Sequence, residues 1–457
     1  MTWRKRKYQG KHQLKNLKRT QNSPYRLTRQ TLSDLSSFLL AEADQLPYGI
    51  ALASILSGRT FSSLTDPDIP FELLESGAGK LFSRWHYGQA SSPLFDNAEK
   101  LVNCDSPYIL LPPCAASAIA KAREQAIPAS ELEHQFSLPS PLKRGPSGQL
   151  ITLNAIKCVI DYERTKVGIT RYERDFIADR EMNENMQNFY AAFSARLLHE
   201  RHADFMDLFL PEHEVDVCRQ HAAPHSLLFG SKKALSCAGV QSISSALESA
   251  FKKSLRESDH VAIHNIYTLY VLNTLQLATM HRPAPDAFRG LNTFCHDFEQ
   301  VEIVDKSVTS TRLVPVCKYA QKLLKEYIDY LRCYQARFRF TNPAKYHAIG
   351  DMLSGRSNLF RIQTATLFLP DIENLPEELG DDVFNKINWH RHTMASRLII
   401  KSVDRDALSA FMGHRQALDN PTSAHSTLCY DQLLTISEHI NKILHTLSLP
   451  HLSPGRR

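Results

Sequence analysis

Paired cysteines, glycine and long apolar runs are all scarce in this chain, and each scarcity excludes something. The nine cysteines among 457 residues (Cys104, Cys114, Cys158, Cys218, Cys237, Cys295, Cys317, Cys333 and Cys429) are odd in number, scattered and free of any CxxC pair. That pattern argues for a reduced intracellular compartment. Only 17 residues are glycine while 43 % are hydrophobic, which is too apolar for a disordered chain. The longest apolar stretch, Ile263 to Met280, is interrupted by Asn265, Thr268, Asn273, Thr274 and Gln276. It reads as a buried helix and not as a membrane span, so no membrane partner is expected.

Acid is absent from the first thirty residues, which hold ten Lys or Arg, whereas the whole chain carries a formal charge of +6. The remaining 44 bases face 48 acids, so the basic excess lies wholly in an N-terminal arm. Arg4, Lys5, Arg6, Lys7, Lys11, Lys15, Lys18 and Arg19 are its candidate DNA contacts, since such a cluster suits a polyanion. A solvated tail is the equal alternative. No apolar segment with a small-residue cleavage site follows the arm, so a secretory signal is not expected.

Residues 1–31 form the arm, expected to be disordered, and 32–137 read as a helical N-terminal region with Pro-containing loops. Residues 138–148, within SLPSPLKRGPSG, read as a linker, and 149–258 as a second helical region, with helical spacing in ENMQNFYAAFSARLLHERHADFMDLFL and VQSISSALESAFKKSL. Residues 259–447 change character. FEQVEIVDKSVTSTRLVPV reads as two strands around a polar turn, and LFRIQTATLFLP as a further strand. In CKYAQKLLKEYIDYLRCY, Ala320, Leu323, Leu324, Tyr327, Ile328 and Leu331 recur at the spacing of an amphipathic helix. Helices are also expected from Arg391 to about Lys401, from about Arg405 to Gly413, and over a final segment with Leu433, Leu434, Ile440, Ile443, Leu444 and Leu447 on its apolar face. Residues 448–457 form a tail. The expected fold is mainly α with a small antiparallel sheet.

Taken singly, the polar residues of this region are weak signals. Arg282 closes the buried helix, Lys306 sits at a hairpin tip followed by Arg312, Arg391 lies in NWHRHTMAS, His414 ends FMGH 23 residues later, and Tyr430 follows. In that order the set resembles the tyrosine recombinase (phage integrase) superfamily, whose signature is Arg, Lys, HxxR, His or Trp, and Tyr. NWHRHTMASRL and LSAFMGH carry the resemblance, which covers roughly Asp259 to Leu447. It implies an α-rich catalytic domain preceded by a helical core-binding domain.

The resemblance implies a site-specific DNA recombinase or integrase that cuts and rejoins double-stranded DNA through a 3′-phosphotyrosyl intermediate. Arg282 and Arg391 would clamp the phosphodiester, because forked guanidiniums match its oxygens and carry permanent charge. Tyr430 would be the nucleophile, the Lys306 ammonium would protonate the departing 5′ oxygen, and His414 would bond a non-bridging oxygen or assist proton movement. Asn388 stands where the HxxR box has its first His, and can donate a hydrogen bond to phosphate. Tyr430 lies 16 residues beyond His414, where the family commonly has nine; Ser423 is the residue aligned by that interval.

The scheme needs no cofactor and no metal. It further implies a cytoplasmic, nucleoid-associated protein that assembles as a homotetramer on DNA with accessory recombination proteins, the last helix packing on a neighbouring protomer. Two alternatives stay open: type IB topoisomerase-like relaxation, and a non-catalytic DNA-binding accessory protein that retains the fold.

Elsewhere, His213, Cys218, His221 and His225 fit no zinc-finger spacing, and His199 and His202 flank Glu200 without making HExxH, so none is assigned a metal. Phe189, Tyr190, Phe193, Phe205 and Phe209 are read as core.

Overall fold

The computed structural model describes residues 27–85, 98–145, 148, 150–180, 186–282, 288–304, 311–363, 368–369, 388–401, 403–414 and 428–454. The basic arm up to residue 26, including all eight of its candidate DNA contacts, therefore lies outside the described residues, as do Lys306 and Ser423. The fold is mainly helical with small antiparallel sheets. No helix among the described residues is long and apolar enough to cross a membrane.

The chain divides into two compact units. One comprises Met1–His86, Cys104–Phe189 and Phe193–Gly230; the other comprises Tyr87–Asn103, Tyr190–Ala192 and Ser231–Arg457. The division falls at 230/231 where the sequence predicts a boundary at 258, and the helix that follows packs with the C-terminal half. Residues 138–148, predicted as a linker between 32–137 and 149–258, lie inside the first unit.

In the first unit, α1 (Arg29–Ala41) is capped by the Thr28 hydroxyl and buries Leu32, Leu35 and Leu39. It packs on α2 (Leu46–Ser57), which is buried almost all round. Gly49 lets α2 approach α3 (Pro113–Glu124), since a Cβ there would stand 2.5 Å from the Ala118 Cβ. Region 32–137 is not purely helical. It contains an antiparallel sheet of β1 (Phe71–Leu73), β2 (Gly79–Phe82) and β3 (Tyr108–Leu111), with Leu81 opposite Phe71 and Ile109. The expected continuous helix around residue 190 is likewise broken: Met186–Tyr190 is a 3₁₀ turn and Ala192–Ser194 a short strand. Helix α4 (Ala195–Met206) begins only where Ser194 caps it.

Charge is buried in this unit as ion pairs. Asp179 accepts from the Ser83 hydroxyl at 2.8 Å, the Arg84 backbone N–H at 2.9 Å and Arg84 Nε at 2.8 Å. The buried Arg59 guanidinium lies 3.8 Å from the same carboxylate and donates to the carbonyls of Ile177 and Phe82. Arg180 pairs with Asp161 at 2.7 Å, and Arg174 reaches the same carboxylate.

The second unit is built around α6 (His260–Thr279), buried from Ile263 onward as its sequence predicts. It packs against α5 (Cys237–Glu257), α7 (Lys318–Arg337), α9 (Trp389–Ile400) and α11 (Tyr430–Leu447). All six apolar positions predicted for α7 are buried. The hairpin expected around residue 306 is present as β4 (Gln300–Val304) and β5 (Thr311–Pro315), with Val301 opposite Val314 and Ile303 opposite Arg312. Helix α8 (Pro343–Leu353) follows α7, and β6 (Ile362–Gln363) pairs with β7 (Phe368–Leu369). Helix α10 (Arg405–Phe411) is capped by Asp404.

Residues well upstream complete this unit. Ser236 N–H donates to the Glu99 carbonyl at 3.0 Å and Leu101 N–H to the Ala234 carbonyl at 2.8 Å. Helix α11 buries Leu433, Ile436, Ile440, Ile443, Leu444 and Leu447 against its own chain, so its apolar face is not available to a neighbouring protomer as expected; Leu434 instead points outward. The tail docks on α6 as well, with Tyr270 Oη donating to the Pro450 carbonyl at 2.6 Å.

Candidate active site

Helix α6 ends at Met280, whose left-handed backbone (φ 49°) turns the chain away and leaves its carbonyl facing inward. His281 is buried and bonds the Thr279 hydroxyl through Nδ1 at 2.9 Å. Arg282 follows, half-buried.

Helix α9 supplies the opposite wall. Its first turn is wholly buried, and its side chains bond outward in several directions: Thr393 Oγ1 accepts from Leu235 N–H at 2.9 Å, and the Ser396 hydroxyl donates to the Tyr190 carbonyl at 2.8 Å. His392 Nδ1 lies 2.7 Å from the Ser231 hydroxyl, with its ring 4.4 Å from that of Tyr190. His390 is held by Asn273, one of the polar residues that interrupt α6. Burial, with His281 adding to it, drives the His390 pKa well below the ordinary value, so its neutral ring donates from Nε2 to Asn273 Oδ1.

Arg391 is fully buried and fixed from three sides. Nη1 donates to the Met280 carbonyl at 2.9 Å, while Nη2 donates to the Met412 carbonyl at 2.7 Å and to His414 Nε2 at 2.7 Å. The guanidinium carbon sits 5.3 Å above the Tyr190 ring, which is also 5.5 Å from the His414 ring. These three contacts aim the guanidinium and fix its plane. An imidazolium has no acceptor nitrogen. The Arg391 bond therefore selects the neutral His414 ring with its proton on Nδ1, where it can serve as a donor.

His414 is placed by the turn after α10. Gly413 (φ 72°) takes a left-handed conformation that favours glycine, and His414 N–H then donates back to the Ser409 carbonyl at 2.9 Å. Arg312 on β5 tightens the same corner by donating to the Phe411 carbonyl, with the Thr279 carbonyl 3.4 Å away.

The structure thus joins Arg391 to His414 and anchors both two residues from Arg282. Asn388 stands at the entrance of α9 in a left-handed conformation (φ 61°), and its Oδ1 is buried with no hydrogen-bond partner among the described residues. Tyr430 is placed differently. As the first residue of α11 it lines a cavity of about 550 Å³ with Glu299, Gln300, Val316 and Leu434, and none of Arg282, Arg391 or His414 lines it. Burial first, then the charges of Cys295 and Glu299, push its phenol up to about 12, against a smaller opposing effect from Gln300.

Two participants were not legible as such. Tyr190, read as core, floors the cluster beneath three cationic or imidazole side chains; its sole sequence signal was an aromatic among others. Arg312 carried one, its place directly after the hairpin tip. Among the described residues no group of three or more His, Cys, Asp or Glu side chains is arranged to hold a metal ion. No protein-family model, curated protein or solved structure matches the chain.

Proposed function

We propose that the chain is a site-specific DNA recombinase of the tyrosine type. The observation that supports this best is the 2.7 Å contact between Arg391 and His414, closed against the carbonyl of Met280 two residues before Arg282. Arg391 and His414, 23 residues apart in sequence, are neighbours in space, which supports this reading. Arg282, being half-exposed, would meet a phosphate first; Arg391 would supply fixed positive charge and hold the His414 Nδ1–H toward a non-bridging oxygen. Tyr430 Oη would attack phosphorus, forming the phosphotyrosyl bond as the bond to the 5′ oxygen breaks, and Lys306 would give that oxygen its proton. A phenol pushed up to about 12 keeps its proton at neutral pH, so attack requires its removal in the same step. Recombination also requires assembly on DNA, for which a homotetramer is the arrangement proposed.

A second reading is favoured by one observation. Tyr430 Oη is buried in a cavity beside Glu299 and Gln300, away from the arginine cluster, as expected of a protein that binds DNA without cutting it.

A nicked suicide duplex separates the two. Covalent protein–DNA adduct in the native chain and none in Tyr430→Phe is the expected result. Adduct that persists in Tyr430→Phe would remove Tyr430 as nucleophile. Duplex bound by the native chain without adduct would select the second reading, and relaxation of a supercoiled plasmid lacking any recombination site would select topoisomerase-like activity.

A further inference from the structure

The turn between α7 and α8 presents the most exposed large apolar side chain among the described residues. Phe340 is 87 % exposed, against 56 % for the next, Leu150. Singly exposed apolar residues are common and mean little; three further features of this turn give Phe340 a meaning. First, residues 336–350 contain three Lys or Arg (Arg337, Arg339 and Lys345) and no Asp or Glu, while Arg332 farther back is paired with Asp329 at 3.0 Å. Second, two of those cations lie over rings, Arg339 at 5.3 Å from the Phe340 centroid and Lys345 at 5.4 Å from that of Phe338. A ring holds a cation in place without neutralising it. Third, the turn is rigidly built. Thr341 Oγ1 donates to the Arg337 carbonyl at 3.0 Å, Asn342 N–H to the Phe338 carbonyl at 3.0 Å, and Asn342 Oδ1 caps α8 by accepting from Lys345 N–H at 3.1 Å. Tyr334 braces Phe338 edge-on at 5.1 Å.

A rigid turn that holds an aromatic face and fixed cations out to solvent matches one ligand chemistry, a base with its flanking phosphates. We infer that this turn is a contact for unpaired DNA, in which Phe340 stacks on an exposed base while Arg339 and Lys345 meet adjacent phosphates. Unpaired strand is favoured over duplex because a paired base already has both faces covered by its neighbours, whereas Phe340, with Arg339 on its ring, offers one open face. The inference rests on the reading that the chain acts on DNA.

The test uses the full chain and two probes of equal length and sequence, one fully paired and one with a central unpaired bubble carrying 2-aminopurine. The native chain should bind the bubble about five- to a hundredfold more tightly than the duplex and change the 2-aminopurine emission. Phe340→Ala should lose that preference and the emission change, Phe340→Trp should keep both, and Arg339→Ala should lower the salt dependence of binding. Because the side chain is exposed, the thermal melt of Phe340→Ala should match that of the native chain. Equal binding of bubble and duplex by the native chain, or an unaltered preference in Phe340→Ala, would overturn this inference alone. A change confined to self-association in Phe340→Ala would overturn it in favour of a protein contact. Failure of the native chain to bind either probe would overturn the DNA reading itself.

Discussion

The two units hold their buried arginine in different ways. In the first, the buried Arg59 meets the Asp179 carboxylate, which the exposed Arg84 also reaches, and the partly buried Arg174 and Arg180 meet Asp161. In the second, Arg391 meets two main-chain carbonyls and a neutral imidazole. Asp179 meets Arg59 with an opposite charge, whereas the carbonyls and imidazole that Arg391 bonds act by fixing the direction of its guanidinium. The difference teaches that burial alone does not say how an arginine is held. The chemistry of its acceptors does.

Acid provides the largest test and should affect both units alike. His199 and His202 in the first unit and His264 in the second are buried, each with its pKa lowered to about 4 by burial. The unfolded chain, titrating near 6.5, binds protons that the folded one refuses, so stability is lost as pH falls below about 6.5. At pH 5 each of the three should cost about 2 kcal/mol. Denaturant titrations between pH 7 and 5 would check this. A loss confined to probes in one unit would show that the units differ in more than their arginines.

Asp179→Ala comes next. It strands the Arg59 charge in the interior and should cost about 3–5 kcal/mol, read as a lower denaturation midpoint. Arg391→Met should cost less, about 2 kcal/mol, because it leaves the Met280 and Met412 carbonyls without these donors. Anisotropy of labelled duplex should at the same time report weaker binding. A stability loss from Arg391→Met that exceeds the loss from Asp179→Ala would break the comparison.

Much of the second unit was legible because its elements carry strong periodic patterns. Helix α7 buries every position its 3.6-residue spacing marks, and the long apolar run of α6, its polar interruptions notwithstanding, foretold a buried helix. The strands of the first unit were not legible: Phe71–Leu73 and Gly79–Phe82 are three and four residues long, too short to show alternation. Leu434 was misassigned because it falls one position off the stripe that Leu433 and Ile436 define. Of the candidate site, the Arg391–His414 pairing could be expected from the two boxes. The role of Tyr190 could not, since it comes from 201 positions before Arg391 and shares no motif with it. Nor did the sequence suggest that Tyr430 would lie in a cavity of its own, because that depends on where a helix begins.

The short upstream strip beside α5 has a consequence for how the chain is made. A Cβ on Gly239 would come within 2.2 Å of the Glu99 carbonyl oxygen, so that strip presses directly on the helix backbone. Residues near 100 and 190 are synthesised long before α5, yet they belong to the unit that α5 opens. During translation the Tyr190 carbonyl must wait for Ser396, 206 residues later, before it is bonded. A fragment cut at Ser231 would lack them both, so the second unit cannot be released by one cleavage, nor can the first be finished without carrying along pieces of the other.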